Sequence, residues 1–104
     1  MITISELRCV CTNETIAVTQ HANKRFQERG INIDDIKHAI STGEVIRQYE
    51  DDKPFPSCLL LGKGLNGVYI HLVASIDSGF LYIITAYYPD ETEWESDFKT
   101  RKGY

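Results

Sequence analysis

The hydrophobic period of this chain changes once, and the change falls at Gly43. Ahead of Gly43, apolar residues recur three and four positions apart, as on one face of a helix. Behind it they run in β-rich stretches that alternate, as on the two faces of a pleated strand. A chain of 104 residues has room for one interior, so helices and strands must bury their apolar sides against each other. The expectation is a single α+β domain over 1–104, with N-terminal helices packed on one face of a mostly antiparallel four-stranded sheet.

The helical half is punctuated by capping residues. Ile4, Leu7, Val10 and Cys11 fall at helical spacing within 3–14, with Thr3 or Ser5 as the cap. Thr15 to Thr19 reads as a brief strand or extended connector. Thr19 is then the N-cap of a helix from Gln20 to Arg29, closed by Gly30. Asn32 opens the next helix. Asp34 and Asp35 sit in its first turn, where carboxylates complement the helix dipole. Its stripe of Ile33, Ile36, Ala39 and Ile40 stops at Gly43.

Strands are expected at Val45–Tyr49, Ser57–Gly62, Val68–Ile76 and Phe80–Tyr88. Leu59-Leu60-Leu61 is apolar on both faces, which suits a central strand. Glu50 to Pro56 forms a polar turn stiffened by Pro54 and Pro56. Asp77-Ser78-Gly79 reads as a three-residue hairpin loop. That loop would set Ile76 against Phe80, His71 against Thr85 and Tyr69 against Tyr87. The alternate set Val68, Ile70, Leu72 and Ala74 would face the helices. Asp90 to Arg101 is an acidic, aromatic tail with the makings of a short helix.

Composition narrows the function classes. The net charge is −4, which weighs against non-specific nucleic-acid binding. No apolar run approaches the roughly 20 residues that span a bilayer, and the first residues lack the pattern of a secretion signal. A cytoplasmic protein is therefore expected, with Cys9, Cys11 and Cys58 as free thiols. Cys9-Val10-Cys11 does not have the paired spacing of a zinc site, and the three histidines are widely separated. No phosphate-binding glycine loop, dinucleotide motif or nucleophile elbow is present. The expectation is no metal and no cofactor.

Three constellations can carry chemistry. His21, Arg25 and Arg29 form an i, i+4 row beside Ala22 and Phe26, at the edge of a buried face. An imidazole with two guanidiniums binds phosphate and moves protons near neutrality; a solvated flank with Arg29 paired to a carboxylate accounts for the same row. The expected strand register gathers His71, Thr85, Tyr69 and Tyr87 on one sheet face, as a site or as a hydrogen-bonded structural cluster. In the tail, Trp94 and Phe98 form an i, i+4 pair suited to clamping onto the sheet. Arg101 is placed to meet a phosphate or Asp97.

Several of these pieces occur in a fixed order: Thr19-x-His21-Ala22-x-x-Arg25, Glu28-Arg29-Gly30-Ile31, Gly43-Glu44-Val45-Ile46 and Tyr49-x-x-Asp52-x-Pro54-x-Pro56-Ser57. They continue with Leu60-Leu61-Gly62, His71, Thr85-x-Tyr87-x-Pro89-Asp90 and Trp94-x-x-Asp97-Phe98-x-x-Arg101. Over residues 15–102 this resembles a small bacterial family of uncharacterised domains grouped with the RelE-like and BrnT-like toxins. The resemblance implies a ribonuclease-toxin type of α+β fold and the toxin role in a toxin–antitoxin pair. The antitoxin would be a small partner with a zinc-binding Cys motif and a helix-turn-helix. It also implies metal-independent cleavage of free or ribosome-bound RNA. His21 and His71 would carry protons and Tyr87 would offer a hydroxyl or a stacking ring. Arg25 and Arg29 would stabilise charge, and Thr85 and Arg101 would help hold the substrate. The residues leave a second reading open, a non-catalytic protein-interaction module of the same fold.

Overall fold

In the computed structural model, which describes residues 1–103, three helices precede most of a five-stranded mixed sheet. The elements are α1 (Ile4–Cys9), β1 (Ile16–Ala17), α2 (Gln20–Glu28), α3 (Ile33–Thr42), β2 (Glu44–Tyr49), β3 (Ser57–Lys63), β4 (Tyr69–Asp77) and β5 (Phe80–Tyr87). The strand order is β1-β5-β4-β3-β2. The four expected strands form the antiparallel part. The fifth, β1, pairs parallel with β5 through Ile16–Leu81 and Ala17–Tyr82, and this corrects the four-stranded expectation. The stretch 15–19, expected as a brief strand or extended connector, forms a strand at Ile16–Ala17, and its place in the sheet comes from the edge that β5 offers it.

The caps explain the helix boundaries. Thr3 with Glu6 and Asn32 with Asp35 form reciprocal capping boxes at α1 and α3, and Thr19 accepts from the Ala22 amide to open α2. At the end of α2 Gly30 takes a φ of 76°. The Ile31 amide then donates to Phe26 and the Gly30 amide to Gln27, at 2.8 and 3.0 Å, the paired bonds of a Schellman ending. Arg8 of α1 donates to the carbonyls of Ile40, Ser41 and Gly43. A cation thus satisfies the carbonyls at the end of α3, where the helix dipole favours it.

One face of the sheet meets the helices. Cys58, Leu60, Ile70, Leu72, Ala74, Leu81, Ile83 and Ala86 pack there against Leu7, Ala22, Phe26, Ile36, Ala39 and Ile40. Val68 lies outside β4 and is exposed, so it drops from the expected helix-facing set. At Gly62 the backbone of α3 comes so close that a Cβ would sit 2.3 Å from the Ala39 carbonyl oxygen.

The β4–β5 register departs from expectation in two compensating ways. Asp77 pairs with Phe80 across a two-residue turn, one residue tighter than predicted. Ser78 and Gly79 both take positive φ, 52° and 81°, as a primed turn requires. A bulge then leaves Ile84 unpaired between Ala74–Ile83 and Val73–Thr85. The two shifts add to an even number, so His71 and Thr85 keep a common face while His71 faces Tyr87 directly. Tyr69 pairs with Lys63 of β3, not with Tyr87.

The tail forms no helix. From Pro89 to Lys102 it runs as turns closed by a bridge between Trp94 and Arg101. Asp90 and Asp97 bind nearby amides in place of a helical ladder.

Candidate functional site

Because side chains alternate along β4, a helix-facing Leu72 sends His71 to the other face. Leu59 and Leu61 are buried yet absent from the helix-side core. This second face is roofed by the tail. Trp94, 4% exposed, sets its ring edge-on to His71 with centroids 4.5 Å apart. Phe98 meets Tyr69 at 5.7 Å, and Lys99 pairs with Glu44 at 2.5 Å.

His71 is the lock of this roof. It is fully buried, with Nε2 at 2.8 Å from the Phe98 carbonyl and Nδ1 at 3.3 Å from the Tyr87 hydroxyl. A carbonyl only accepts, so Nε2 carries the proton and Nδ1 accepts from the phenol. Burial pushes the His71 pKa below its ordinary value, against an opposing effect of the Phe98 bond. Burial likewise raises the Tyr87 pKa; Tyr49 and Glu93 push the same way, and Arg101 opposes. Phe98 takes a φ of 57°, a conformation costly for a residue with a Cβ, and its carbonyl is the one that His71 holds. Arg47 and Arg101 lie over the Trp94 ring at 5.7 and 5.4 Å from its centroid, and Lys63 lies over Tyr69 at 4.8 Å. These contacts attract the cations to the ring faces.

The α2 row settles elsewhere. Phe26 is buried, as expected, and Arg29 donates to the Ala86 carbonyl at 2.8 Å and to the Thr85 hydroxyl at 3.4 Å. Arg29 therefore occupies part of the outer edge of β5, where β1 no longer covers it, and a charged group there discourages strand addition. His21 and Arg25 are exposed on a helix whose Ala22 and Phe26 enter the core. The sheet stands between them and His71. The structure thus brings together His71, Tyr87 and Arg101 on the roofed side, and Arg29 with Thr85 at the β5 edge. It does not bring His21 or Arg25 to His71.

The sequence reading missed Arg47 and Lys63. The available signal was their place on strands, at positions whose side chains leave the helix-facing set. It also missed an apolar groove of about 570 Å³ between the end of β1, β5 and the turn at Asp52 to Phe55. The signal there was Phe55 itself, an aromatic between two prolines in a polar turn with no core to enter. Among the described residues no three His, Cys, Asp or Glu side chains gather as a metal-binding group, and no helix is long and apolar enough to cross a membrane.

A family model described as "Domain of unknown function (DUF4258)" matches residues 18–88. No curated protein and no solved structure matches the chain. The matched stretch runs from the end of β1 through β5, and it contains His71, Tyr87, Arg29 and Thr85 while leaving out Trp94, Phe98 and Arg101.

Proposed function

This chain belongs to the DUF4258 family, and on that premise we propose that it is a protein-interaction module of the RelE-like and BrnT-like toxin type, without a reaction centre of its own. The observation that carries this reading is the separation of the two histidines by the sheet. Transesterification of RNA needs a base and an acid within hydrogen-bond reach of one phosphate. Here His21 lies on the helix side, and on the other side His71 has both nitrogens engaged. Each candidate group has a structural partner or open solvent, as an interaction module requires. The test is co-expression with the product of the neighbouring reading frame. The two proteins should co-purify, and the chain alone should neither slow growth nor cleave free or ribosome-bound RNA. Growth arrest with RNA cleavage would overturn the reading.

One observation favours a second reading, a metal-independent ribonuclease toxin held by an antitoxin. Arg47 and Arg101 share the Trp94 ring beside the His71–Tyr87 contact, and cations interleaved with aromatics suit single-stranded RNA. Under this reading expression arrests growth and the partner relieves it. Loss of arrest in Arg25→Ala would locate the chemistry on the α2 side, and loss in Tyr87→Phe on the roofed side.

A further inference from the structure

We propose that the groove beside the end of β1 binds a small neutral aromatic molecule, its ring against Phe55 and Tyr82 and a hydroxyl or amide group on Ser75. The site is separate from the interaction reading, and failure of its test leaves that reading standing.

The observation that carries the proposal is the Ser75 hydroxyl. Ser57, His71 and Ser75 are the buried polar side chains among the described residues. Ser57 donates to Asp52 Oδ2 at 2.6 Å, and His71 bonds to Tyr87 and Phe98. Ser75 is 4% exposed and lines the groove, and its hydroxyl has no hydrogen-bond partner among the described residues. No fully buried side-chain oxygen or nitrogen lacks a partner there, so the hydroxyl is the part of Ser75 left open to the groove. Its orientation follows from the strand. Ala74 packs against the helices, so alternation sends Ser75 out on the opposite face, beside its cross-strand partner Tyr82. A polar group this deeply set is normally paired, and here the pairing group must come from the groove.

The walls select a ring. Phe55, fixed between Pro54 and Pro56, stacks on Tyr82 with centroids 6.3 Å apart and planes at 28°. Ile84, the extra residue of the β5 bulge, adds aliphatic surface at 47% exposure. A flat ring laid on this pair extends the stack in the offset geometry that aromatic groups favour. The same sheet face already seats one ring, Trp94 against His71. There the strap supplies the ring; farther along β4 no strap residue lines the groove. Its volume of about 570 Å³ lies in the range of small-molecule clefts, which pair apolar walls with a few placed polar groups.

The charges select neutrality. Asp52 and Lys53 both line the groove, one of each sign and adjacent in the chain. Asp52 is engaged through both oxygens, by the Ser57 hydroxyl and the Lys53 amide. A charged ring would lose hydration on entering the apolar groove without a net charge to draw it in. The Ser75 hydroxyl both donates and accepts, so it pairs with a ligand hydroxyl or amide.

The test is an amide NMR titration of the full chain with phenol, fluorobenzene, benzoate and benzylammonium. Phenol should bind about fivefold more tightly than fluorobenzene, the worth of one hydrogen bond, and more tightly than either charged fragment. Shifts should centre on Phe55, Ser75 and Tyr82. In Ser75→Ala the difference between phenol and fluorobenzene should vanish while the thermal midpoint stays near the parent's. Phe55→Ala, at an exposed turn, should weaken both fragments alike. Equal binding of phenol and fluorobenzene to the parent, or a difference that survives in Ser75→Ala, would overturn the proposal. So would benzoate or benzylammonium binding as tightly as phenol, shifts centred elsewhere, or no shifts at millimolar fragment. A second copy or a neighbouring gene product held by the parent and lost in Phe55→Ala would assign the groove to a protein and overturn it as well.

Discussion

At the scale of single residues, His71 shows how one side chain reads differently before and after its surroundings are known. An imidazole on a strand beside tyrosines is compatible with proton transfer, and it is equally compatible with a lock. The bonds to Phe98 and Tyr87 make it a lock, and burial favours its neutral form. Its folded pKa is depressed from 6.5, so below that value the unfolded chain takes up the proton first. The stability it contributes is complete above the unfolded pKa and is lost as pH falls from there through the folded one. Trp94 is the only tryptophan, so its emission reports the roof directly. Emission should shift to the red and the thermal midpoint should fall between pH 7.5 and 5.5. In His71→Phe, which keeps a ring and loses the bond to Phe98, the pH dependence in that window should flatten, at a constant cost of about 1–3 kcal/mol. An unchanged pH profile in that variant would show that another group is responsible.

At the scale of elements, two junctions set the architecture. Gly62 lets α3 lie directly on β3, and a methyl there would meet the Ala39 carbonyl. Gly62→Ala should cost about 1–3 kcal/mol through overpacking, measurable as a lower denaturant midpoint at unchanged slope. The β4–β5 turn offers the opposite sign. Ser78 adopts a left-handed φ that serine tolerates poorly. Ser78→Asn creates the Asn-Gly pair favoured in primed turns and should stabilise the protein by about 0.5 kcal/mol. Destabilisation would mean that the Ser78 hydroxyl, 3.3 Å from the Asp77 carboxylate, matters more than the backbone.

At the scale of the whole molecule, the sheet has helices on one side and an irregular strap on the other. The strap is held to the sheet by the Trp94 wedge against His71, the Phe98–Tyr69 ring contact, Arg47 over the Trp94 ring, the His71 bond to Phe98 and the Lys99–Glu44 ion pair. Ending the chain at Asp90 should expose Leu59, Leu61 and His71 together. The loss should be at least the roughly 3–5 kcal/mol expected for a buried tryptophan alone, with new binding of a hydrophobic dye. A midpoint equal to the parent's would show that the strap rests on the sheet without contributing to its stability.

The helices, their caps, the α+β class and the helix-facing stripe of β4 were legible from residues 1–104 because they are local. Spacing, a capping hydroxyl and a terminal glycine act within a turn or two of chain, and Phe26 entered the core as its position implied. The partner residues were decided at longer range. The extra residue at Ile84 resets every pair beyond it, so Tyr87 rather than Thr85 stands opposite His71. The parallel place of β1 in the sheet comes from the edge that β5 offers it. The tail, read as a helix from its Trp94–Phe98 spacing, exchanged helical bonds for contacts across the sheet. The His-Arg row and the His71 cluster share a sequence order, but alternation on β4 puts a sheet between them. Sequence spacing fixes which way a side chain leaves its own element; only the packing of elements decides what it meets.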